Sequence, residues 1–370
     1  MKNILVTGAT GLVGSNLCQY LVDKGFTVKA LIRETSDKRF LDSLKKVEYV
    51  YCDLKNKDKL IEELKDIDTV FHCAAQVNLL STYDNNHAST NIQGTRNLLE
   101  ASLVNKVKKF VYVSTLGVLG ILRDHYSEKE DAPYIKSGNP YFDTKIDAER
   151  IVQNYYHDKN LPTVIIRPGF IIGERDRNNL PLVMPYLLRN QMQYIGHGNN
   201  DIAITSIRNL SQALYLAATT DKSDGQIYNI TDGTGISSKQ YINELCKIAN
   251  IPLPKFHIPI NLASNLAKGI ESVSKVLDRE SLINEYTISL IGNSNNFDIS
   301  KAVNELDYKP NENYEEELKK AVDWYLQNHP KEVKRARAYV RAKRIGAVSA
   351  ILTVAGWMYF SKKKKNEITV

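Results

Sequence analysis

Cysteine, methionine and tryptophan are scarce in this chain, at 4, 4 and 2 of 370 residues. Cys18, Cys52, Cys73 and Cys246 form no CxxC pair, and each sits in an apolar or helical context. That excludes a disulfide-stapled secreted module and a zinc ribbon, and it reads as buried thiols in a reducing compartment. Clustered histidine is missing too: His87, His125, His157, His197 and His257 are scattered and complete no metal site with His72. No secretory leader is expected, because Met1-Lys2-Asn3 runs straight into an apolar stretch at 4–6 that is too short for a signal-peptide core. What remains is a chain 43% hydrophobic and 25% charged, able to bury a large core without staples.

A dominant charge is also lacking over most of the chain. The formal +7 comes from 49 Lys+Arg against 42 Asp+Glu, but residues 331–370 hold eleven basic and two acidic groups. The first 330 residues carry 38 basic and 40 acidic groups, so the body is slightly acidic. A basic nucleic-acid-binding surface is excluded, and no nucleic-acid partner is expected. Near the C-terminus stands a sixteen-residue uncharged run, residues 345–360 (IGAVSAILTVAGWMYF). Arg341, Lys343 and Arg344 precede this run and Lys362 to Lys365 follow it. As a helix it would be roughly 24 Å long, short of a ~30 Å hydrocarbon core, with Trp357 and Tyr359 placed for an interface. The expectation is a single-pass or monotopic C-terminal anchor holding the body at the cytoplasmic face of a membrane, with residues 334–344 on anionic headgroups.

Apolar runs at 3–7, 27–32, 47–51, 69–72, 109–114 and 162–167 alternate with helical patterns, which predicts a parallel sheet covered on both faces. After Pro168 the rhythm breaks. Short strands near 202–206 and 226–230 mix with helices near 208–219, 237–249, 260–277 and 313–327, as in a smaller second lobe. The first strand runs into Thr7-Gly8-Ala9-Thr10-Gly11-Leu12-Val13-Gly14. Glycines there allow a tight turn and a close backbone approach to a pyrophosphate, with a helix N-terminus aimed at it. Gly8, Thr10, Gly11, Leu12, Val13 and Gly14 are therefore candidate dinucleotide contacts. The second strand ends at Arg33, where an NAD-selective site would place a carboxylate; Lys38 and Arg39 follow. This predicts NADP(H) in preference to NAD(H), unless the loop is simply a solvated basic one. Asp53, beside Leu54, suits the adenine amino group or the N-cap of a helix. Ala74 and Ala75 are small enough for backbone to lie against the cofactor, while His72 reads as a packing residue.

Tyr141 and Lys145 stand four apart and so share a helix face. Tyrosine is a poor acid–base group near neutrality unless a nearby cation stabilises its anion, and Lys145 could do that. The preceding strand ends in Ser114-Thr115, whose hydroxyls could orient a substrate oxygen.

These motifs in this order resemble an extended short-chain dehydrogenase/reductase of the NAD-dependent epimerase/dehydratase superfamily. The likeness rests on TGATGLVG (7–14), CDL (52–54), HCAA (72–75), NIQGTRN (91–97), VSTLGVLG (113–120), YFDTK (141–145) and RPGFIIG (167–173), and it covers residues 1–330. It implies an α/β fold: a Rossmann doubly wound parallel sheet (1–168, completed by later segments) with a smaller C-terminal substrate lobe (169–330). A basic linker (331–344), an apolar C-terminal helix (345–360) and a basic tail (361–370) would follow. It implies Thr115, Tyr141 and Lys145 as the catalytic triad, with Ser114 the weaker candidate. Pro168 and Phe170 would lie beside the nicotinamide, Asn91 would brace the scaffold, and a homodimer would form through two helices. Leu116-Gly117 stand where dehydratases carry an acidic pair. The stretches 201–206 and 291–296 lack the Arg that epimerases place on a diphosphate, although Arg208 is near. The 297–310 segment resembles the 3β-hydroxysteroid dehydrogenase-like branch, and the first half resembles dihydroflavonol reductases. The expected activity is hydride transfer between a nicotinamide and an apolar, sterol- or lipid-like ketone or alcohol. Phe170, Leu182, Val183, Met184 and Tyr186 are candidates for its pocket or for plain core. A nucleotide-sugar epimerase and a membrane-tethered dinucleotide sensor without turnover remain as alternatives.

Overall fold

The computed structural model describes residues 1–77, 87–276, 284–311 and 313–343. Seven parallel strands form the central sheet: β1 (Ile4–Thr7), β2 (Val28–Ile32), β3 (Val47–Tyr51), β4 (Thr69–His72), β5 (Lys109–Val113), β6 (Thr163–Pro168) and β7 (Ile227–Ile230). Their order is β7-β6-β5-β4-β1-β2-β3, with every neighbour parallel. The chain reverses its winding beside β1, so a crevice opens between the carboxyl ends of β1 and β4.

Alternation along each strand builds two cores. Ile4 and Val6 face α1 (Leu12–Asp23), while Leu5 faces the opposite layer. That opposite layer is α2 (Lys57–Glu63), α3 (Thr95–Val104) and α4 (Pro140–Lys159), through Leu60, Leu98 and Val152. Both faces are therefore buried, which is why the strands read as continuous apolar runs.

The chain after Pro168 divides its work. The lobe contains α5 (Leu180–Leu188), and α6 (Ile207–Thr219) returns to the α1 face of the sheet through Leu210 and Leu214. The 226–230 segment, expected in the second lobe, is β7 and pairs with β6 at the sheet edge. The lobe continues with α7 (Ser238–Ile248), α8 (Ile260–Val276) and α9 (Glu285–Gly292). Next, α10 (Ser300–Leu306) rejoins the α1 face through Ala302 and Leu306, and α11 (Tyr314–Asn328) closes the lobe core. The expected strand at 202–206 is two short pieces, Asp201–Ile202 and Ile204–Ser206, that pair with different partners.

Residues 331–344 were expected as a linker. Instead 330–343 form a helix, α12, and Val333 and Ala336 are buried in the lobe core with Leu188 and Tyr325. The basic residues alternate with this apolar face, so composition alone reads as a linker. The expected apolar helix at 345–360 lies outside the described residues, and no described helix is long and apolar enough to cross a membrane.

Candidate active site

The glycine turn is built for close approach. Gly8 has φ +63°, and a Cβ there would come within 2.7 Å of the Ala74 backbone. A Cβ on Gly14 would collide with the Gly8 carbonyl oxygen, so glycine at 14 lets α1 meet the turn, as glycine at 8 lets the turn meet the backbone after β4. The Gly11 amide donates to the Gly8 carbonyl at 2.9 Å and closes the turn. α1 starts with no side-chain cap and no carboxylate in its first turn, leaving the positive helix end facing the crevice.

Two adjoining hollows share Gly8, Gly11, Cys73 and Ala75. The outer one, about 490 Å³, is walled by Thr10, Arg33, Asp53, Leu54 and Ala74. The inner one, about 260 Å³, brings Leu12, Val13 and Gly14 together with Thr115, Tyr141, Lys145, Pro168 and Phe170. The uncapped helix end and the glycine floor of this paired hollow fit a dinucleotide. Of the three basic residues near the second strand's end, only Arg33 lines the hollow. Lys38 donates to the Tyr51 hydroxyl at 3.2 Å, and Arg39 pairs with Asp37. Asn56, not Asp53, caps α2; an Asp53 carboxylate oxygen instead accepts from the Lys55 amide at 2.8 Å.

The inner hollow is set by the start of α4. Asn139 caps it, its side chain accepting from the Tyr141 amide at 3.0 Å, and Pro140 fills the first turn. Lys145 is buried; its Nζ donates to the Val113 carbonyl at 2.6 Å and lies 4.2 Å from the Tyr112 ring centroid. Burial draws this ammonium down to about 7 and pushes the Tyr141 hydroxyl up to about 12. Thr115 Oγ1 accepts from the Gly117 amide at 3.2 Å, so its own O–H is left to donate. Ser114 also lines this hollow, with its buried hydroxyl lacking a hydrogen-bond partner among the described residues.

A chain of buried hydrogen bonds ties these parts together. Thr7 Oγ1 accepts from the Ala74 amide and, because the His72 ring proton sits on Nε2 toward Thr95, donates to His72 Nδ1 at 2.7 Å. His72 Nε2 then donates to Thr95 Oγ1 at 2.9 Å, and Thr95 donates to the Asn91 carbonyl at 2.7 Å. Asn91 lies in a π-helical segment, Ala88–Gly94; its amide nitrogen donates to Thr144 Oγ1 at 3.0 Å, between Tyr141 and Lys145. Burial holds His72 neutral by lowering it to about 3. His72 is thus a packing residue with both ring nitrogens satisfied.

A third hollow, about 270 Å³, opens off the inner one, sharing Phe170, Asn179, Ile202 and Leu290. Leu182, Val183 and Tyr186 line it, but Met184 does not: it faces the opposite side of α5 and is buried in the lobe core. None of the described residues lining this hollow is charged. Arg208 is exposed and lines none of the three. Sequence reasoning missed the share of the wall from 258–291, which carries no motif; the apolar spacing Leu262, Leu266, Ile270 was the available signal.

A crevice at the winding reversal, a glycine-floored dinucleotide hollow and a Tyr–Lys pair at its inner end define a nicotinamide-dependent enzyme. Residues 4–231 match the NAD dependent epimerase/dehydratase family, and the chain belongs to it. It is 27% identical over 338 residues to a 3-beta-hydroxysteroid dehydrogenase of Mycolicibacterium neoaurum, covering 88% of this chain and 92% of that one. It is 28% identical over 336 residues to a decarboxylating sterol-4-alpha-carboxylate 3-dehydrogenase of Mus musculus, covering 87% and 90%. Among solved structures, the UDP-glucuronic acid 4-epimerase from Bacillus cereus, in complex with UDP-glucuronic acid and NAD, superposes with a TM-score of 0.71 at 26% identity, covering 89% and 100%. The protein is accordingly an NAD-dependent enzyme of the oxidoreductase class that acts on hydroxyl or carbonyl carbon.

Proposed function

We propose that this enzyme reduces an apolar, sterol- or lipid-like ketone, or oxidises the matching alcohol, with a preference for NADP(H). The observation that carries the reading is the third hollow, whose described lining holds no charge and which opens off the inner one that contains Tyr141 and Thr115. A nucleotide-sugar diphosphate would need a guanidinium or ammonium there, and the lining residues supply none. The sterol-acting relatives agree with this choice. Arg33, standing where a carboxylate would select NAD, supports the 2′-phosphate preference.

The nicotinamide, when bound, supplies or accepts the hydride. The chain's own residues handle the oxygen and its proton. Thr115 donates its O–H to the substrate oxygen, and Tyr141, protonated because it is buried, donates the second hydrogen bond and then the proton. Lys145, held by the Val113 carbonyl, would bind the nicotinamide ribose and stabilise the Tyr141 phenolate formed. The tail carrying 345–360 would tether the body to a membrane.

The test is NADPH oxidation by the purified protein over a panel of apolar ketones, repeated with Tyr141→Phe. Turnover on a ketone that falls at least a hundredfold in the variant is expected. Turnover that survives the substitution sinks the mechanism, and interconversion of UDP-sugars without net cofactor change sinks the substrate reading.

A further inference from the structure

Large hydrophobic side chains are not evenly spread over the surface. Among the described residues, Leu253, Phe256, Leu262, Leu266 and Ile270 fall within eighteen positions, each 45–68% exposed. Leu262, Leu266 and Ile270 are spaced four apart, one stripe along α8. The helix has another apolar face, Ala263 and Ala267, already buried against Ile288 of α9. The outward stripe therefore serves no described packing. Leu266 and Ile270 are also wall residues of the uncharged hollow, so the stripe is the rim of that hollow. A contiguous exposed apolar patch at a cavity mouth marks an interaction site.

Three consecutive residues identify the occupant. Gln191 donates to the Tyr339 hydroxyl of α12 at 3.2 Å, and Gln193 accepts from the Phe256 amide at 3.2 Å. Both glutamines line the hollow. Three residues of chain reach at most about 10 Å. The apolar patch, the hollow and α12 thus converge at one place. On α12, Lys331, Lys334, Arg335, Arg337, Arg341 and Lys343 are exposed, against one acidic residue, Glu332. The sequence then continues into the uncharged run 345–360 and Lys362 to Lys365.

We propose that this face, the α8 stripe with Leu253 and Phe256, lies on an anionic lipid bilayer. The α12 cations sit on headgroups, and the hollow's mouth opens to the acyl region so that substrate enters from the membrane. Exposed apolar side chains beside a basic helix match both layers of such a surface, hydrocarbon and anionic headgroup. A second copy of this chain would supply the apolar half alone. The inference rests on the apolar-substrate reading and adds a contact separate from the tail.

The test places an environment-sensitive nitrobenzoxadiazole label on Leu262→Cys, which is exposed and outside the hollow's wall, in the full chain. A control label goes on Val104→Cys, exposed on the α2/α3 side of the body. The unsubstituted chain is treated in parallel to account for half-buried Cys73. Vesicles of 70% phosphatidylcholine and 30% phosphatidylglycerol should shift the Leu262→Cys emission to the blue and raise it several-fold, leaving the control unchanged. Phe256→Ser with Leu262→Ser should lower the vesicle partition coefficient at least tenfold. A chain that floats with vesicles while the label at 262 stays aqueous overturns the proposal in favour of the tail alone. A blue shift that grows with protein concentration without vesicles overturns it in favour of self-association, and a chain that does not float overturns it outright. NADPH turnover of the unsubstituted chain is measured alongside, so loss of the enzymatic reading is scored separately from loss of the docking face.

Discussion

Single residues carry opposing electrostatic assignments. His72 is held at about 3 against an ordinary 6.5 because its ring is buried and the Lys145 charge lies nearby. Between those values the unfolded chain binds a proton that the folded chain refuses. Folding stability is therefore undiminished by this group above pH 6.5 and falls as pH drops toward 3. Urea unfolding across that range should show a decline, and His72→Gln should flatten it by a few kcal/mol. Arg33 is the residue on which the proposed NADP(H) preference turns. Arg33→Ser should raise KM for NADPH about tenfold or more, leave KM for NADH nearly unchanged, and be visible in steady-state kinetics.

At the scale of elements, the site depends on how α4 is docked. The π-helical segment reaches Thr144 through Asn91, and the Asn91 carboxamide also accepts from the Gln76 amide at 2.8 Å. Asn91→Ala removes the bonds to Thr144 and Gln76, although Thr144 keeps its bond to the Pro140 carbonyl, a cost of about 1–2 kcal/mol in all. Thermal unfolding should move down by several degrees. Because Tyr141 would lose its register, kcat should fall more than KM rises; equal changes in both would assign Asn91 to stability alone. Gly14→Ala meets the Gly8 carbonyl, so fluorescence titration with NADPH should show binding largely lost.

For the whole molecule, the end of the lobe decides where the chain can be cut. Truncation after residue 330 removes buried Val333 and Ala336 from the lobe core and should lower the unfolding temperature. Truncation after residue 343 keeps α12 and should leave the melt unchanged while weakening vesicle binding to what the α8 and α12 face supplies without the tail. A soluble full-length chain would remove the tether from the account.

Much of the sheet and the reactive pair were legible from sequence, for a local reason. A strand buried on both faces is a run of apolar residues, a turn against a phosphate site needs glycine, and i, i+4 residues share a helix face. Each is encoded within a few positions, as in residues 4–14 and 141–145. The membership of the lobe was not local. Ile227–Ile230 reads as an isolated short strand, yet its place at the sheet edge depends on pairing with β6, sixty residues earlier. Met184 and Val183 are adjacent and equally apolar, and only the docking of α5 turned one into the core and the other into the hollow. α12 shows the same limit: its cations dominate the composition, while two small apolar residues fix it to the lobe. The sequence by itself determined the dinucleotide turn, the Tyr–Lys pair and the basic–apolar–basic tail. Only tertiary packing decided that the described wall of the hollow is uncharged, where its rim lies, and which apolar residues are left outside.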